Sequence, residues 1–367
     1  MTTYKICVYA IAKDEEAFVD RFCDAAAEAD YIAIMDTGST DATVDKLRKR
    51  GCIVHSEAVS PWRFDTARNK SMELIPEDTD ICVCLDLDEV LLPGWRGALE
   101  AAWTRSTVSG RFTNIRSRNA DGTPGTVFLQ RKLHRPGAFR WKYPVHEVLV
   151  SAGGAPDTAE ITVPDMAVEH RPDRSKSRGQ YLPLLELAAR ENPEDARCAH
   201  YLGREYMYYG RWDEATRELT RHLELPSAVW REERCASMRY LSRCRAGKGD
   251  GPGAMRWAMR AICEQPELRE SWYEAQRSAY ALEDWSGVCY YGEHAAAITR
   301  RSDVCINEEE AWGAGVHDLL GLAYWHLGRP DMAVASGALA LALDPDNERI
   351  RRNLEYYSAA AGRREKV

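Results

Sequence analysis

The strongest constraint on the fold is a change of pattern at His170-Arg171-Pro172-Asp173. Before it, short β-branched runs alternate with amphipathic stretches; after it, strand signals vanish and long helical patterns take over. Alternation of that kind implies an α/β layer structure on a mostly parallel sheet, whereas an uninterrupted helical stretch implies an all-α body. At 367 residues the chain exceeds the ~250–300 residues at which single cores stop growing. Two domains are therefore predicted, 1–173 and 174–367. Hydrophobic residues at 45% and charged residues at 29% suit a soluble globular protein. There is no apolar run of the ~18 residues needed to span a bilayer.

Strands are predicted at 6–11, 31–35, 52–55 and 81–85. The first follows Met1-Thr2-Thr3-Tyr4-Lys5 and is too short for a signal peptide's apolar core, so a cytoplasmic location is expected. A helix is predicted over 14–29, with Phe18, Phe22, Ala25 and Ala29 at helical spacing. Ser39, Thr40 and Asp41 offer N-cap oxygens to a second helix bearing Val44 and Leu47, and a third is predicted over 65–75. Eleven cysteines, an odd number scattered through apolar patterns without a CxxC pair, read as reduced core residues. A net charge of −8 gives no electrostatic drive toward nucleic acid or anionic membrane.

Internal similarity marks the second half. Leu202-Gly203, Tyr206, Gly210, Ala215 and Pro226 recur as Leu320-Gly321, Tyr324, Gly328, Ala333 and Pro345, the first four at one constant offset. The order of small residue, aromatic, turn glycine and alanine resembles tetratricopeptide repeats, whose period is about 34 residues. Degenerate units are expected between them, around 240–266 and 272–298.

Chemistry concentrates at two strand ends. Leu85-Asp86-Leu87-Asp88-Glu89 closes an apolar run and precedes Pro93-Gly94. If the strand persists, Asp86 and Asp88 project to one side by period-two geometry, and two carboxylates there can hold a hard divalent ion. Ligands bind at the carboxyl ends of strands in open α/β sheets. The second strand end is Met35-Asp36-Thr37-Gly38-Ser39-Thr40-Asp41, for which the competing reading is a turn with a helix cap.

Asp-x-Gly-Ser-Thr-Asp followed about fifty residues later by Asp-x-Asp resembles family 2 glycosyltransferases of the GT-A, nucleotide-diphospho-sugar transferase, fold. Trp62-Arg63-Phe64-Asp65-Thr66-Ala67-Arg68-Asn69 is similar to a segment of a subfamily that includes lipopolysaccharide-core and bacteriocin peptide transferases. The resemblance spans residues 4–170 and implies a UDP-sugar donor with Mn or Mg. It assigns donor binding to Asp36, Arg68, Asp86 and Ala10, and metal binding to Asp88 and His170. Lys13 and Asp14 resemble the subfamily's Lys-Asn-Glu, with Asp14 in place of Asn.

Inverting sugar transfer needs a carboxylate to take the acceptor's proton. The segment Trp141-Lys142-Tyr143-Pro144-Val145-His146-Glu147 supplies Glu147 as that base, with His146 where the family's other acid stands. Arg131, Lys132, His134 and Arg135 form a cationic cluster that either neutralises a leaving diphosphate or is solvated. The expected function is an inverting, metal-dependent glycosyltransferase, with a peptide or protein as first-choice acceptor. A saccharide or lipopolysaccharide core, or a hydroxymethylated DNA base of phage type, are the alternatives. The resemblance gives the repeats a role in acceptor docking or homo-oligomerisation. A further alternative is a non-enzymatic repeat scaffold. The absence of GxGxxG and GxxxxGK[ST] loops argues against nucleotidyl transfer.

Overall fold

A computed structural model describes residues 4–118, 122–153, 159–172, 179, 181–302, 304 and 306–364. The chain divides into two compact units, with the break between Ala188 and Ala189.

The first unit opens with the predicted strands and helices in order: β1 (Ile6–Ala12), α1 (Val19–Ala25), β2 (Tyr31–Asp36), α2 (Thr43–Lys49), β3 (Ile53–Ser56), α3 (Phe64–Met72) and β4 (Ile81–Cys84). Helical crossovers link β1 to β2 and β2 to β3, as parallel pairing requires, and α3 precedes β4. The helix predicted over 14–29 is shorter than expected. Asp14 adopts φ 51°, and the backbone N–H groups of Asp14, Glu15 and Glu16 bond to Ser39, Thr43 and Asp41 rather than to a helix.

After β4 come β5 (Glu89–Leu91), α4 (Trp95–Ala102), β6 (Ser109–Ile115), β7 (Val127–His134), β8 (Phe139–Lys142), β9 (Val148–Ser151), β10 (Glu160–His170) and α5 (Tyr181–Glu191). The eight-stranded sheet runs β3-β2-β1-β4-β7-β6-β10-β5, while β8 and β9 pair as a separate hairpin. Strands β1 to β4 are mutually parallel, but β7 runs antiparallel to both β4 and β6, and β5 antiparallel to β10. The sheet is thus mixed but, as expected, mostly parallel: β1 to β4, β6 and β10 run in one sense, and only β5 and β7 run against them.

Strand alternation sorts the core. Ile6, Val8, Ala10 and Ala12 of β1 pack with Val19 and Phe22 of α1, Leu47 of α2 and Trp95 and Leu99 of α4. Cys7 and Tyr9 face the other way, against Cys82, Cys84, Phe139 and Trp141, with Met72 of α3 packed alongside. Chain order turns back at β1: β2 and β3 lie on one side of it and β4 on the other. Such a reversal opens a crevice at the carboxyl ends of β1 and β4.

The second unit is helical: α6 (Ala196–Tyr208), α7 (Trp212–Glu224), α8 (Arg231–Gly247), α9 (Gly251–Glu264), α10 (Arg269–Ala281), α11 (Trp285–Ala297), α12 (Glu309–Trp312), α13 (Gly315–His326), α14 (Pro330–Leu343) and α15 (Glu348–Arg364). Consecutive long helices pack as hairpins, and α6 touches α8, α8 touches α10 and α10 touches α13, giving a stacked, tetratricopeptide-like array. The expected degenerate units are the hairpins α8/α9 and α10/α11. Gly210 and Gly328 turn their hairpins at φ 69° and 67°, where a side chain strains the backbone. Among the described residues no helix is long and apolar enough to cross a membrane.

Gly203 is where α6 and α7 approach most tightly, since a methyl there would stand 2.6 Å from Leu219 Cγ. Gly203→Ala should therefore cost about 1–3 kcal/mol by overpacking. Thermal denaturation should register a melting temperature several degrees lower. Gly362→Ala, whose methyl meets nothing within 4 Å, should not lower it.

Candidate functional site

The four residues of β4 are buried on both faces, and the chain leaves the sheet at Leu85, whose N–H donates to Tyr9 O. Asp86 to Glu89 then form a turn closed from both ends: Glu89 N–H donates to Asp86 O at 2.9 Å, and Asp86 N–H to Glu89 Oε2 at 2.9 Å. The strand does not persist, so the period-two reasoning for the two acids lapses. Asp86 meets Arg68 Nη2 at 2.5 Å and Lys132 Nζ at 3.1 Å, whereas Asp88 Oδ2 lies 3.2 Å from His170 Nε2. Burial alone would raise the pKa of Asp86; the Arg68 and Lys132 charges outweigh it and hold the carboxyl well below the usual range. Burial opposes the charge on Lys132, but Asp86 and Glu89 more than restore it and push its pKa up.

Arg68 is the junction. Only 4% exposed, it donates through Nε to Glu147 Oε1 at 2.5 Å and through Nη1 to Cys84 Sγ at 3.4 Å, and its guanidinium lies 5.1 Å over the Trp141 ring. The residues around it in the sequence explain its placement. Asn69 clamps the Trp141 backbone with two hydrogen bonds, to its carbonyl at 3.0 Å and from its N–H at 2.8 Å. Phe64 N–H donates to Pro144 O at 3.0 Å. Helix α3 is thereby tied to β8 and to the segment carrying Glu147. On that segment Tyr143 and His146 adopt φ 83° and 52°, sparsely populated for such residues.

Beneath Arg68 runs a buried chain. Trp141 Nε1 donates to Tyr9 OH at 3.0 Å, and Tyr9 OH lies 2.8 Å from His134 Nε2, whose Nδ1 is 3.1 Å from Arg135 O. An indole N–H can only donate and a carbonyl can only accept, so Tyr9 donates to Nε2 and His134 carries its proton on Nδ1. Burial depresses the His134 pKa to about 4, keeping the ring neutral.

The other residues singled out by the sequence lie outside this junction. Asp36, 2% exposed, accepts from Gly38 N–H and from Ser39 N–H at 3.1 Å, the geometry of a turn cap. Asp14 accepts from Thr40 N–H at 2.7 Å, so it joins two loops. Ala10 has no exposed surface and belongs to the apolar core, which leaves its side chain no ligand to touch. The cationic cluster separates by strand alternation. Lys132 and His134 point inward and are buried, Arg131 pairs with Glu160, and Arg135 donates to Arg105 O. The His146 ring stands 5.8 Å from that of Tyr181.

Sequence reasoning missed Glu89 and Glu169. Glu89, 3% exposed, takes Lys132 Nζ at 2.9 Å and Asn114 Nδ2 at 3.2 Å. Glu169 pairs with Arg118 and Arg171, each at 2.6 Å, and the Arg118 hydrogen bond leads the interactions that lower its pKa against burial. The available signal for Glu89 was its position three residues after Asp86, within reach of that residue's backbone N–H.

Among the described residues no group of three or more His, Cys, Asp or Glu side chains gathers to hold a metal. Asp88 and His170 have the donor atoms for two sites of one, once Arg116 Nη1, which lies 3.2 Å from the same His170 Nε2, gives way. Two neighbouring sites of an octahedral ion with ligands near ~2.1 Å lie ~3 Å apart, close to the observed 3.2 Å between Oδ2 and Nε2.

No family model matches the sequence, and no curated protein matches it. Solved structures with partial likeness include MamA, 16% identical over 46% of this chain and 89% of that one at TM-score 0.37. Another is YrrB, described as a TPR protein with an unusual peptide-binding site, at 18% identity, 50% and 86% coverage and TM-score 0.40. A third is a thermophilic TPR protein of Thermus thermophilus, at 20% identity, 49% and 88% coverage and TM-score 0.35.

The neutral state of His134 generates a pH dependence. Its folded pKa lies below the unfolded value, so the unfolded chain binds the extra proton and stability falls as pH drops from 6.5 to about 4. The limiting loss is about 3 kcal/mol. Urea unfolding of His134→Gln across that window should lack this part of the acid destabilisation seen in the parent chain.

Proposed function

We propose that the first unit is an inverting, metal-dependent glycosyltransferase of the GT-A kind, moving a sugar from a nucleotide-sugar, foremost a UDP-sugar, to a peptide or protein acceptor. One observation carries the reading. Arg68 holds Asp86 and Glu147 together at the carboxyl end of β4, beside the point where the strand order reverses and next to the Asp88–His170 pair. The strand order β3-β2-β1-β4 is compatible with a nucleotide-binding half-sheet.

In this proposal Asp88 and His170 would hold the ion. When bound, Mn or Mg supplies positive charge to the departing diphosphate. Lys132, fixed by Asp86 and Glu89, adds a second positive charge close by. Asp86 presents its 38% exposed side chain to the donor, and Asp36 acts through the Gly38–Ser39 turn that it shapes. Glu147, oriented by Arg68, accepts the proton of the attacking acceptor group, so that the new glycosidic bond forms as the bond to diphosphate breaks. A saccharide or DNA-base acceptor leaves all these roles unchanged.

A second reading, the non-enzymatic repeat scaffold, is favoured by one feature of the same cluster. Asp86, Glu89 and Glu147 are all neutralised internally by Arg68 and Lys132, as a purely structural charge network would be.

Asp88→Asn should fold normally by circular dichroism yet lose at least about 100-fold in Mn-dependent release of UDP from a UDP-sugar. Full turnover by that variant would remove the metal site from the account. Calorimetric titration of UDP- and GDP-sugars with Mn that yields no heat for any donor would favour the scaffold.

A further inference from the structure

A second reactive grouping lies away from the carboxylates. Cys23, in the last turn of α1, and Cys52, between α2 and β3, place their sulfurs 3.6 Å apart. Cys52 precedes β3 and Asp86 follows β4, and these strands run in the same sense, so the thiols lie toward the opposite ends of the strands from the site. Arg50, the C-cap of α2, stands over this region and pairs with Asp20 at 3.6 Å and with Asp24.

The two sulfurs are chemically unequal. The hydrogen bond with Cys52 leads the causes that lower the Cys23 pKa; burial opposes it and the Arg50 charge assists. The same contact pushes Cys52 up, with burial adding to the effect. Burial instead raises Cys7 to about 12 and Cys84 to about 11. Two sulfurs in contact, close to the Arg50 guanidinium paired with α1, are placed for one, Cys23, to attack an oxidant and the other, Cys52, to resolve it.

We propose that Cys23 and Cys52 are an oxidation site at which a hydroperoxide converts two thiols into one intramolecular disulfide, tying α1 to the start of β3. The Cys23 thiolate attacks a peroxide oxygen and the O–O bond breaks, leaving a sulfenic acid on Cys23 and, with hydrogen peroxide, one water after protonation. The Cys52 sulfur then attacks the Cys23 sulfur. The S–S bond forms, the S–O bond breaks, and a second water leaves with the Cys52 proton. Two thiols lose two electrons to one peroxide, and a dithiol reductant reverses the change.

Closure to a bonded separation of ~2.05 Å needs a shift of about 1.5 Å. Exposures of 2% for Cys23 and 9% for Cys52 mean that the reagent must enter through a local opening. The last turn of a helix only seven residues long provides one, because terminal turns open at far lower cost than the core. The resulting cross-link encloses a loop of about 30 residues and removes freedom from the unfolded chain.

The full-length protein is treated with hydrogen peroxide, denatured, alkylated with N-ethylmaleimide and digested. Mass spectrometry should find a Cys23–Cys52 linked peptide two hydrogens lighter than its parts and lost with dithiothreitol. The oxidised chain should melt several degrees higher than the reduced chain. In Cys52→Ser the link and the gain in melting temperature should disappear, and dimedone should trap the sulfenic acid on Cys23. Recovery of both cysteines fully alkylated after the peroxide is consumed overturns the proposal, as does a link from either one to another cysteine such as the exposed Cys263. The peptide map of the parent chain decides the matter even if a variant fails to fold. Sugar transfer plays no part in the readout.

Discussion

A guanidinium removed from water must be paired, and the first unit is arranged around meeting that requirement for Arg68. Its partners come from elements far apart in the chain: the turn after β4, the segment after β8, and the Trp141 ring beneath. Deleting one member of a buried ion pair costs on the order of 3–5 kcal/mol, because the survivor is left uncompensated. Helix α3 cannot drift from the sheet without exposing that cost. The proposed donor-side acid and the proposed base are therefore both bound by one side chain, Arg68.

Much of this was legible in the sequence, and the illegible parts have physical causes. Strands β1, β2 and β4 are buried runs whose apolar character needs no tertiary context to recognise. Strands β6 and β7 carry Arg111, Asn114, Gln130, Arg131 and Lys132, so their patterns read as polar loop until paired. Lys132 was especially misleading. A lysine is ordinarily solvated, and this one is buried because Asp86 and Glu89, brought from across the sheet, compensate it. Asp86 and Asp88 were located correctly along the chain but assigned extended geometry, whereas Glu89 bends the backbone by bonding to Asp86 N–H. Asp36 carried both a binding and a turn-and-cap reading, and its contacts, to the Gly38 and Ser39 N–H groups, are those of a turn, α2 starting only at Thr43.

The helical unit was legible where glycine controls close approach or a turn, at Gly203, Gly210 and Gly328, and obscure where other residues substitute. The hairpin α8/α9 has Ala254 and Ala258 wholly or almost wholly buried in its second helix, so its packing is small-residue packing without the expected signature. Its first helix also buries polar side chains. Ser237 lies against the fully enclosed His200 of α6, whose pKa is pulled down by burial and then by His222, while Arg239 reaches Glu308 at 3.4 Å. Polar interiors of this kind obscure the hydrophobic stripe by which a helix is recognised.

The Trp141–Tyr9–His134 chain has a direction. Each member hands its hydrogen to the next, from the indole to a main-chain oxygen, and swapping the imidazole tautomer would set a bare Nδ1 against the Arg135 carbonyl, two acceptors facing each other. The floor under Arg68 consequently has one allowed proton order and a fixed polarity. With His134 held neutral by burial, that floor adds oriented dipoles but no net charge beneath the carboxylates that Arg68 joins.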